Sequence, residues 1–342
     1  MSAASGSLPR YILIRLALVI PMMWVLLTVV FFLLRVAPGD PVTAAVGGKL
    51  DEAALDQRRA ALGLDRPLIV QYLDYLGNVA HLDFGNTISD NRPVLDIIRD
   101  QGGATLTLTL GAFLIALVIG LPLGRMAGRY RDTSADAGIR VFGVVAYAAP
   151  IFWTGLMMIL LVVAFFPSWP TNDIGSVVTK FEVQPKTHIL LVDAGLAGNG
   201  EAFVDVLKHH VLPCLALGLL LAGVIIRLVR INVIQAMKGD YVEAARARGI
   251  PERRVVRHHA FRNALVPVIT VIGLQVAITL SGALVTERTF NWPGLGTELV
   301  QYTISRDYIA VQGLVTFFAL IVVLVSLAVD IINALVDPRV RY

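Results

Sequence analysis

Apolar residues in this chain are gathered into long runs, and charged residues lie mainly between those runs. A helix needs about 20 apolar residues to cross the roughly 30 Å hydrocarbon core of a bilayer, where no water satisfies backbone N–H and C=O groups. Six runs reach that length, at residues 16–34, 104–124, 141–166, 209–230, 263–286 and 308–336. The pattern therefore predicts an all-α integral membrane protein with six transmembrane helices. We expect the first run to be a retained span, because no small-residue cleavage site follows it.

Lysine and arginine set the predicted orientation, because short cytoplasmic loops are enriched in them. Residues 125–140 carry four and residues 227–262 carry nine, whereas residues 167–208 carry three and residues 287–307 carry two. The first outer loop carries seven, but loops longer than about 60 residues are largely exempt from this rule. The predicted cytoplasmic segments are 1–15, 125–140, 231–262 and 337–342, and the predicted extracytoplasmic loops are 35–103, 167–208 and 287–307. Both termini are thus expected in the cytoplasm.

Composition agrees with a chain that lies in a lipid bilayer. Hydrophobic residues make up 56% of the 342 residues and charged residues only 16%, which is too apolar for a surface that faces water. The single Cys214 cannot form an internal disulfide. The net charge of +4 reflects topology in a membrane protein, so we expect no nucleic-acid partner.

The two longer outer loops differ in their patterns. In loop 35–103, residues 51–62 predict a capped helix ending at Gly63, and residues 68–80 predict a second, amphipathic helix. This loop is therefore expected to be folded. Loop 167–208 is rich in proline and glycine, which predicts turns, short strands or local disorder; the sequence suggests no role for it.

The cytoplasmic loop 231–262 contains a short self-terminated helix within residues 239–251. Asp240 is a good N-cap acid, Gly249 suits the C-cap, and Pro251 follows it. One side of this helix is expected to be slender, because three alanines lie close together. These are Ala244, Ala245 and Ala247.

Two interpretations of this helix remain open from the residues alone. In the first, the groove of a partner protein closes around the slender side of the helix while Glu243, Arg246 and Arg248 make charged contacts at the rim of that groove. Alternatively, the helix is an ordinary interfacial loop helix whose basic side chains meet lipid headgroups. Composition by itself favours the second interpretation.

A wider set of motifs resembles one family, the membrane-spanning permease subunits of ATP-driven importers of the dipeptide, oligopeptide and nickel class. Residues 243–249 are similar to the cytoplasmic EAA loop of that family. The other matching stretches are RHHAFRNALVP at 257–267, APGDP at 37–41, LGLDRP at 62–67, DFG at 83–85 and NWPGLG at 291–296. They lie in the family's order and cover nearly the whole chain. The long first outer loop resembles that of the first of two permeases that usually pair as a heterodimer.

Two departures limit this resemblance. The distance from Gly249 to Pro267 is longer than in sugar importers, and Val266 precedes that proline where leucine is common. We interpret the longer spacing as a mark of the peptide class.

The resemblance implies a fold, partners and a location. It implies the permease fold of type I ATP-driven importers in a bacterial inner membrane, where this chain forms half of a translocation pathway. The implied partners are a second homologous permease, two cytoplasmic ATPase subunits that bind ATP and magnesium, and an extracytoplasmic solute-binding protein. The residues expected to contact an ATPase are Asp240, Tyr241, Glu243, Ala244, Ala245, Arg246, Arg248 and Gly249.

The sequence offers no catalytic, cofactor-binding or metal-ligating residues of its own. It has no Gly-x4-Gly-Lys-Ser/Thr phosphate loop and no Gly-x-Ser-x-Gly elbow. The pairs His209-His210 and His258-His259 lack the spacing and the acid of a zinc protease motif. We therefore expect a non-catalytic subunit.

A secondary transporter or channel is the alternative from another class. It would carry ionisable groups near the middle of the bilayer, but Asp330, Arg227 and Arg230 lie near the ends of the predicted spans. Within the importer class, nickel or another small solute remains an alternative to peptides. No substrate-path residue is assigned, because the aromatic and polar candidates are equally well explained as packing, interface or turn residues. These are Tyr147, Phe152, Trp153 and Asn291.

Overall fold

The computed structural model describes residues 8–36, 42–43 and 51–336. The APGDP motif at 37–41 and the C-terminal segment 337–342 lie outside the described residues. So do several side chains of the basic stretch 257–267, namely those of His258, His259, Arg262, Asn263, Val266 and Pro267.

The described residues form helices joined by turns. The first five helices are α1 (Leu8–Val36), α2 (Glu52–Ala61), α3 (Leu68–Ala80), α4 (Val94–Arg129) and α5 (Ser134–Ala148). The next six are α6 (Ile151–Phe165), α7 (Val177–Glu182), α8 (Leu190–Leu196), α9 (Gly200–Ala236), α10 (Asp240–Ala247) and α11 (Glu252–Arg254). A π-helical turn (Val255–Ala260) then leads into α12 (Phe261–Thr289), α13 (Leu295–Ile304) and α14 (Tyr308–Val336).

Four helices in the described part of the chain are long and apolar enough to cross a membrane. They are Arg10–Arg35, Val94–Arg129, Gly200–Ala236 and Tyr308–Ile332, and a bent helix pair raises the number to five if it counts as one span. The helix Phe261–Thr289 covers the fifth predicted span. An all-α membrane protein is therefore confirmed.

Helices α4 and α9 pack closely and form the centre of the molecule. Gly120, Gly124 and Gly128 recur every fourth residue on the face of α4 that meets α9, which allows two helix backbones to approach closely. A Cβ atom on Gly124 would lie 2.6 Å from the Cβ of Val229 and 2.9 Å from the carbonyl oxygen of Ile226. These glycines therefore set the distance between the two helices.

The third predicted span is not one straight helix. Helices α5 and α6 meet at an angle of 104° across the break at Ala149 and Pro150. Ala149 adopts extended backbone angles (φ −67°, ψ 129°), as a residue before proline favours. The run 141–166 thus consists of two helices that point in different directions.

The described part of segment 35–103 contains the two helices that the sequence predicted. Asp51 caps α2 by accepting a hydrogen bond from the backbone N–H of Ala54 at 3.0 Å, and α3 has the predicted bounds. Helix α3 packs on the first and last long helices: the Tyr72 hydroxyl lies 2.6 Å from that of Thr28, and the Tyr75 hydroxyl lies 2.7 Å from that of Thr316. This loop therefore ties α1 to α14.

Residues 167–208 contain more helix than the sequence predicted. The short helices α7 and α8 occupy part of the segment, and α9 begins at Gly200, nine residues before the predicted start of the span at 209. The Asn199 side chain caps α9 by accepting from the Ala202 N–H at 3.0 Å. Asp193 is buried and accepts from the backbone N–H of Thr187 at 2.9 Å. The prediction of turns, short strands or local disorder therefore missed these helices.

Candidate functional site

Helix α10, which the sequence predicts to be cytoplasmic, is flanked by a glycine at each end. Gly239 is the N-cap and supplies no side-chain hydrogen bond, so the prediction that Asp240 is the N-cap was wrong. Asp240 lies in the first turn, where a carboxylate still interacts favourably with the helix dipole. At the other end Gly249 has φ +73°, and its N–H donates to the Arg246 carbonyl at 2.9 Å. A left-handed glycine of this kind stops a helix.

Helix α10 has one face against its own chain and one face exposed. Val242 and Ala245 are buried against Val255 and Ala260 of the π-helical turn. The prediction that Ala245 shares a slender exposed side with Ala244 and Ala247 was therefore wrong. The exposed residues of the predicted contact set are Asp240, Tyr241, Glu243, Ala244, Arg246, Arg248 and Gly249. We call these exposed residues the coupling face.

Arg246 is braced by a neighbouring acid of its own chain. Its Nε and Nη2 atoms donate to the two carboxylate oxygens of Glu252 at 3.1 and 2.8 Å. This paired contact raises the pKa of Arg246 and lowers the pKa of Glu252. The ion pair therefore closes the loop between α10 and α11.

Glu252→Gln is expected to loosen this loop only slightly, because both partners are about half exposed and such pairs contribute less than about 1 kcal/mol. Because the folded-state pKa of Glu252 is lowered, the contribution is present above its unfolded pKa and is lost as pH falls through the folded value. Amide hydrogen exchange of residues 240–254 at neutral pH should be modestly faster in the variant. Exchange at the wild-type rate would show that the ion pair of Arg246 and Glu252 does not stabilise this loop.

The buried face of α10 joins two long helices. Ala236 and Met237 at the end of α9 pack against the α10 cluster, and the Tyr241 hydroxyl donates to the Ala236 carbonyl at 2.9 Å. On the other side the π-helical turn runs directly into α12, whose first residue, Phe261, lies under the Arg125 guanidinium at 5.4 Å. Helix α10 therefore contacts both the end of α9 and the turn that leads into α12.

A buried ion pair lies between α5 and α9. The Asp136 side chain is fully buried, and its two oxygens accept from Arg230 Nε at 2.7 Å and Nη2 at 2.8 Å. The sequence placed Arg230 only as a residue near the end of a span. Asp136 is one of several charged residues in the basic segment 125–140, so no pattern along the chain marked the two as partners.

The NWPGLG motif forms a clasp between α12, α13 and α4. Trp292 is fully buried and its indole N–H donates to the Ala104 carbonyl at 2.9 Å. The buried Glu287 carboxylate accepts from the Thr105 hydroxyl at 2.7 Å and from the Thr297 N–H at 2.8 Å. Asn291 is exposed at φ +49°, which fits a turn residue. The motif therefore has a structural role, because it holds α12 and α13 against α4.

Gly294→Ala is expected to destabilise the clasp, because the new Cβ would lie 2.2 Å from Oε1 of the buried Glu287 carboxylate. Overpacking of this kind costs roughly 1–3 kcal/mol. Thermal unfolding of the purified protein in detergent should show a lower midpoint. Gly200→Ala is the control, since no atom lies within 4 Å of its added Cβ; equal midpoints for both variants would contradict the packing argument.

The candidate substrate-path residues do not converge on one polar site. The side chains of Tyr147, Phe152 and Trp153 are exposed on α5 and α6. A cleft of about 470 Å³ between α6 and α12 is lined by Phe152, Leu156, Leu284, Val285, Arg288 and Thr289. His210, which is not one of these candidates, makes contacts within the chain. Its Nδ1–H donates to the Val206 carbonyl at 2.7 Å, and its ring lies edge-on to that of Trp292 with 4.6 Å between the ring centroids.

Comparison with known proteins places this arrangement among membrane transport components. Residues 120–342 match the family described as the binding-protein-dependent transport system inner membrane component, and residues 8–109 match the N-terminal family of the same membrane components. The chain is 38% identical to the di/tripeptide transport system permease protein of Pseudomonas aeruginosa, over 96% of this chain and 97% of the relative.

Two further relatives cover almost their full lengths. The dipeptide transport system permease protein of Escherichia coli is 37% identical over 97% of this chain and 99% of the relative. The oligopeptide transport system permease protein of Bacillus subtilis is 32% identical over the same shares of the two chains.

Proposed function

Because this chain belongs to the family of inner-membrane components of binding-protein-dependent transport systems, we propose that it is the permease subunit of an importer of dipeptides or oligopeptides. It forms half of the translocation pathway. The relatives named above are all called peptide permeases, which favours peptides over nickel or another small solute.

The observation that carries this function is the two-sided arrangement of α10. Its buried face is fixed to α9 and α12, and its coupling face, which includes Glu243 and Ala244, is exposed. A partner that grips the coupling face therefore moves two long helices at once.

The proposed assembly follows from that role. Two cytoplasmic ATPase subunits bind ATP and magnesium, a second, homologous permease completes the pathway, and a solute-binding protein delivers substrate to the extracytoplasmic side. The chain crosses the bacterial inner membrane six times with both termini in the cytoplasm, as the distribution of lysine and arginine supports. ATP hydrolysis belongs to the partners and not to this chain.

The mechanism is alternating access. ATP shifts the equilibrium between outward-open and inward-open states only if the ATPase contacts α10 differently in the two states. Closure of the ATPase pair would carry α10 with it, and the π-helical turn would pass that movement to α12 while the end of α9 follows. The substrate itself need not meet a strong fixed charge, because selection resides in the binding protein.

The test is uptake of a labelled dipeptide, a longer peptide and nickel in cells that lack this gene, before and after the gene is restored. Loss of peptide uptake with recovery on restoration is the expected result. Unchanged peptide uptake in a strain without redundant peptide importers, together with loss of nickel uptake, would overturn the peptide assignment.

A further inference from the structure

The buried ion pair between α5 and α9 is more elaborate than a simple contact. Besides the two hydrogen bonds from Arg230, Asp136 accepts from the backbone N–H of Asp132 at 3.0 Å, and Arg140 Nε lies 3.6 Å away. The carboxylate thus faces two guanidinium groups and one backbone donor while fully buried. A planar guanidinium that bonds both carboxylate oxygens fixes the orientation of the two side chains as well as their distance.

The same two helices touch at a second point. Gly143 of α5 and Gly223 of α9 meet so closely that a Cβ on Gly223 would lie 2.5 Å from the Gly143 carbonyl oxygen. Each glycine is about two helical turns from the ion pair on its own helix, and the order shows that the helices run antiparallel. Helix α5 therefore contacts α9 at two points that lie about two helical turns apart.

The ion pair lies close to the cytoplasmic helix. Arg230 precedes Ala236 by six residues, about 9 Å along α9 at 1.5 Å per residue, and Ala236 packs against the α10 cluster. In the other direction α5 leads through the 104° bend into α6, which carries the exposed Phe152 and lines the cleft with α12. The ion pair of Asp136 and Arg230 thus lies where α9, which contacts the coupling helix α10, meets α5, which leads into α6.

We propose that Asp136 and Arg230 are positioning residues that transmit movement of α10, through α9, to the bent pair α5 and α6. The proposal rests on the proposed function, because the movement is the one that the ATPase imposes. Stability alone is a weak reason for such a pair, since burying two charges costs much of what their attraction supplies, and apolar residues often serve as well. The orientation that the paired contact fixes is what apolar packing would not reproduce.

The experiment uses the complete complex, with its partner permease, ATPases and binding protein, in proteoliposomes. It measures ATP hydrolysed per peptide transported, together with the amount of assembled complex. Arg230→Lys keeps the charge but lacks the planar pair of N–H donors, and the double variant Asp136→Asn with Arg230→Gln removes both charges. The control is the exposed ion pair of Arg66 and Asp74 on the outer loop, neutralised in the same way.

Both test variants are expected to assemble and to hydrolyse several-fold more ATP per peptide than wild type, while the control keeps the wild-type ratio. Asp136→Asn alone should assemble poorly, because it leaves the partly buried guanidinium of Arg230 without its carboxylate partner, and the double variant should restore assembly without restoring the ratio. A wild-type ratio in Arg230→Lys or in the assembled double variant would overturn the proposal and leave a structural role only. Absence of peptide transport by the wild-type complex would instead contradict the proposed function.

Discussion

Gly249→Pro is expected to reduce peptide uptake by on the order of tenfold or more, the scale of typical coupling free energies, while the chain still inserts into the membrane. Gly249 has φ +73° and its N–H donates to the Arg246 carbonyl. Proline fixes φ near −65° and has no N–H to donate. The end of α10 would therefore unravel, and the coupling face would lose its shape, whereas the long helices would be unaffected.

A matched control exists for this variant. Gly198 has φ +68° and its N–H donates to the Gly195 carbonyl at 3.2 Å, so Gly198→Pro introduces the same strain in the loop 167–208. Uptake of labelled dipeptide, protein level in membranes and ATPase activity are measured for both variants. Normal uptake in Gly249→Pro, or an equal loss in Gly198→Pro, would contradict a coupling role for α10.

Gly124→Leu is expected to prevent accumulation of folded protein, because it forces α4 away from α9. Its Cβ would lie 2.6 Å from the Val229 Cβ and 2.9 Å from the Ile226 carbonyl, and the rest of the leucine side chain would have no space. Overpacking a core costs about 1–3 kcal/mol, and here part of the obstruction is backbone that cannot move aside. Size-exclusion chromatography of detergent extracts measures the monodisperse fraction.

Gly138→Leu is the control for this second variant. No atom lies within 4 Å of a Cβ on that exposed glycine of α5, so the substitution adds the same apolar bulk without a clash. A monodisperse Gly124→Leu protein at the wild-type level would show that the glycine stripe does not set the helix distance.

Sequence predicted those parts of the fold that depend on local physics. The N-cap at Asp51 and the stop at Gly63 act within one turn of helix, and the amphipathic period of 68–80 acts within a single helix. Both helices appear where they were expected. Length and hydropathy similarly located the long helices, although α4 begins at Val94, ten residues before the predicted start at 104, and the run 141–166 forms two helices. The sequence missed the early start of α9 at Gly200, because that part of the helix is too polar to be counted as a span.

The features that the sequence missed depend on contacts between distant segments. Asp136 and Arg230 are 94 residues apart, so their pairing requires the packing of α5 on α9. The inward orientation of Ala245 requires the π-helical turn that covers it. The bend between α5 and α6 coincides with Pro150, but a proline does not by itself specify the angle of 104°.

Cross-linking of the coupling face to an ATPase subunit tests the central claim most directly. The native Cys214 is buried, so a cysteine added at exposed Ala244 is the accessible thiol in this region, and one added at buried Ala245 is its neighbour-matched control. We predict that Ala244→Cys forms a cross-linked product with an ATPase subunit in the intact complex, with a yield that changes when ATP is added, and that Ala245→Cys does not. No ATPase product from Ala244→Cys, or a yield equal to that of Ala245→Cys, would contradict the account.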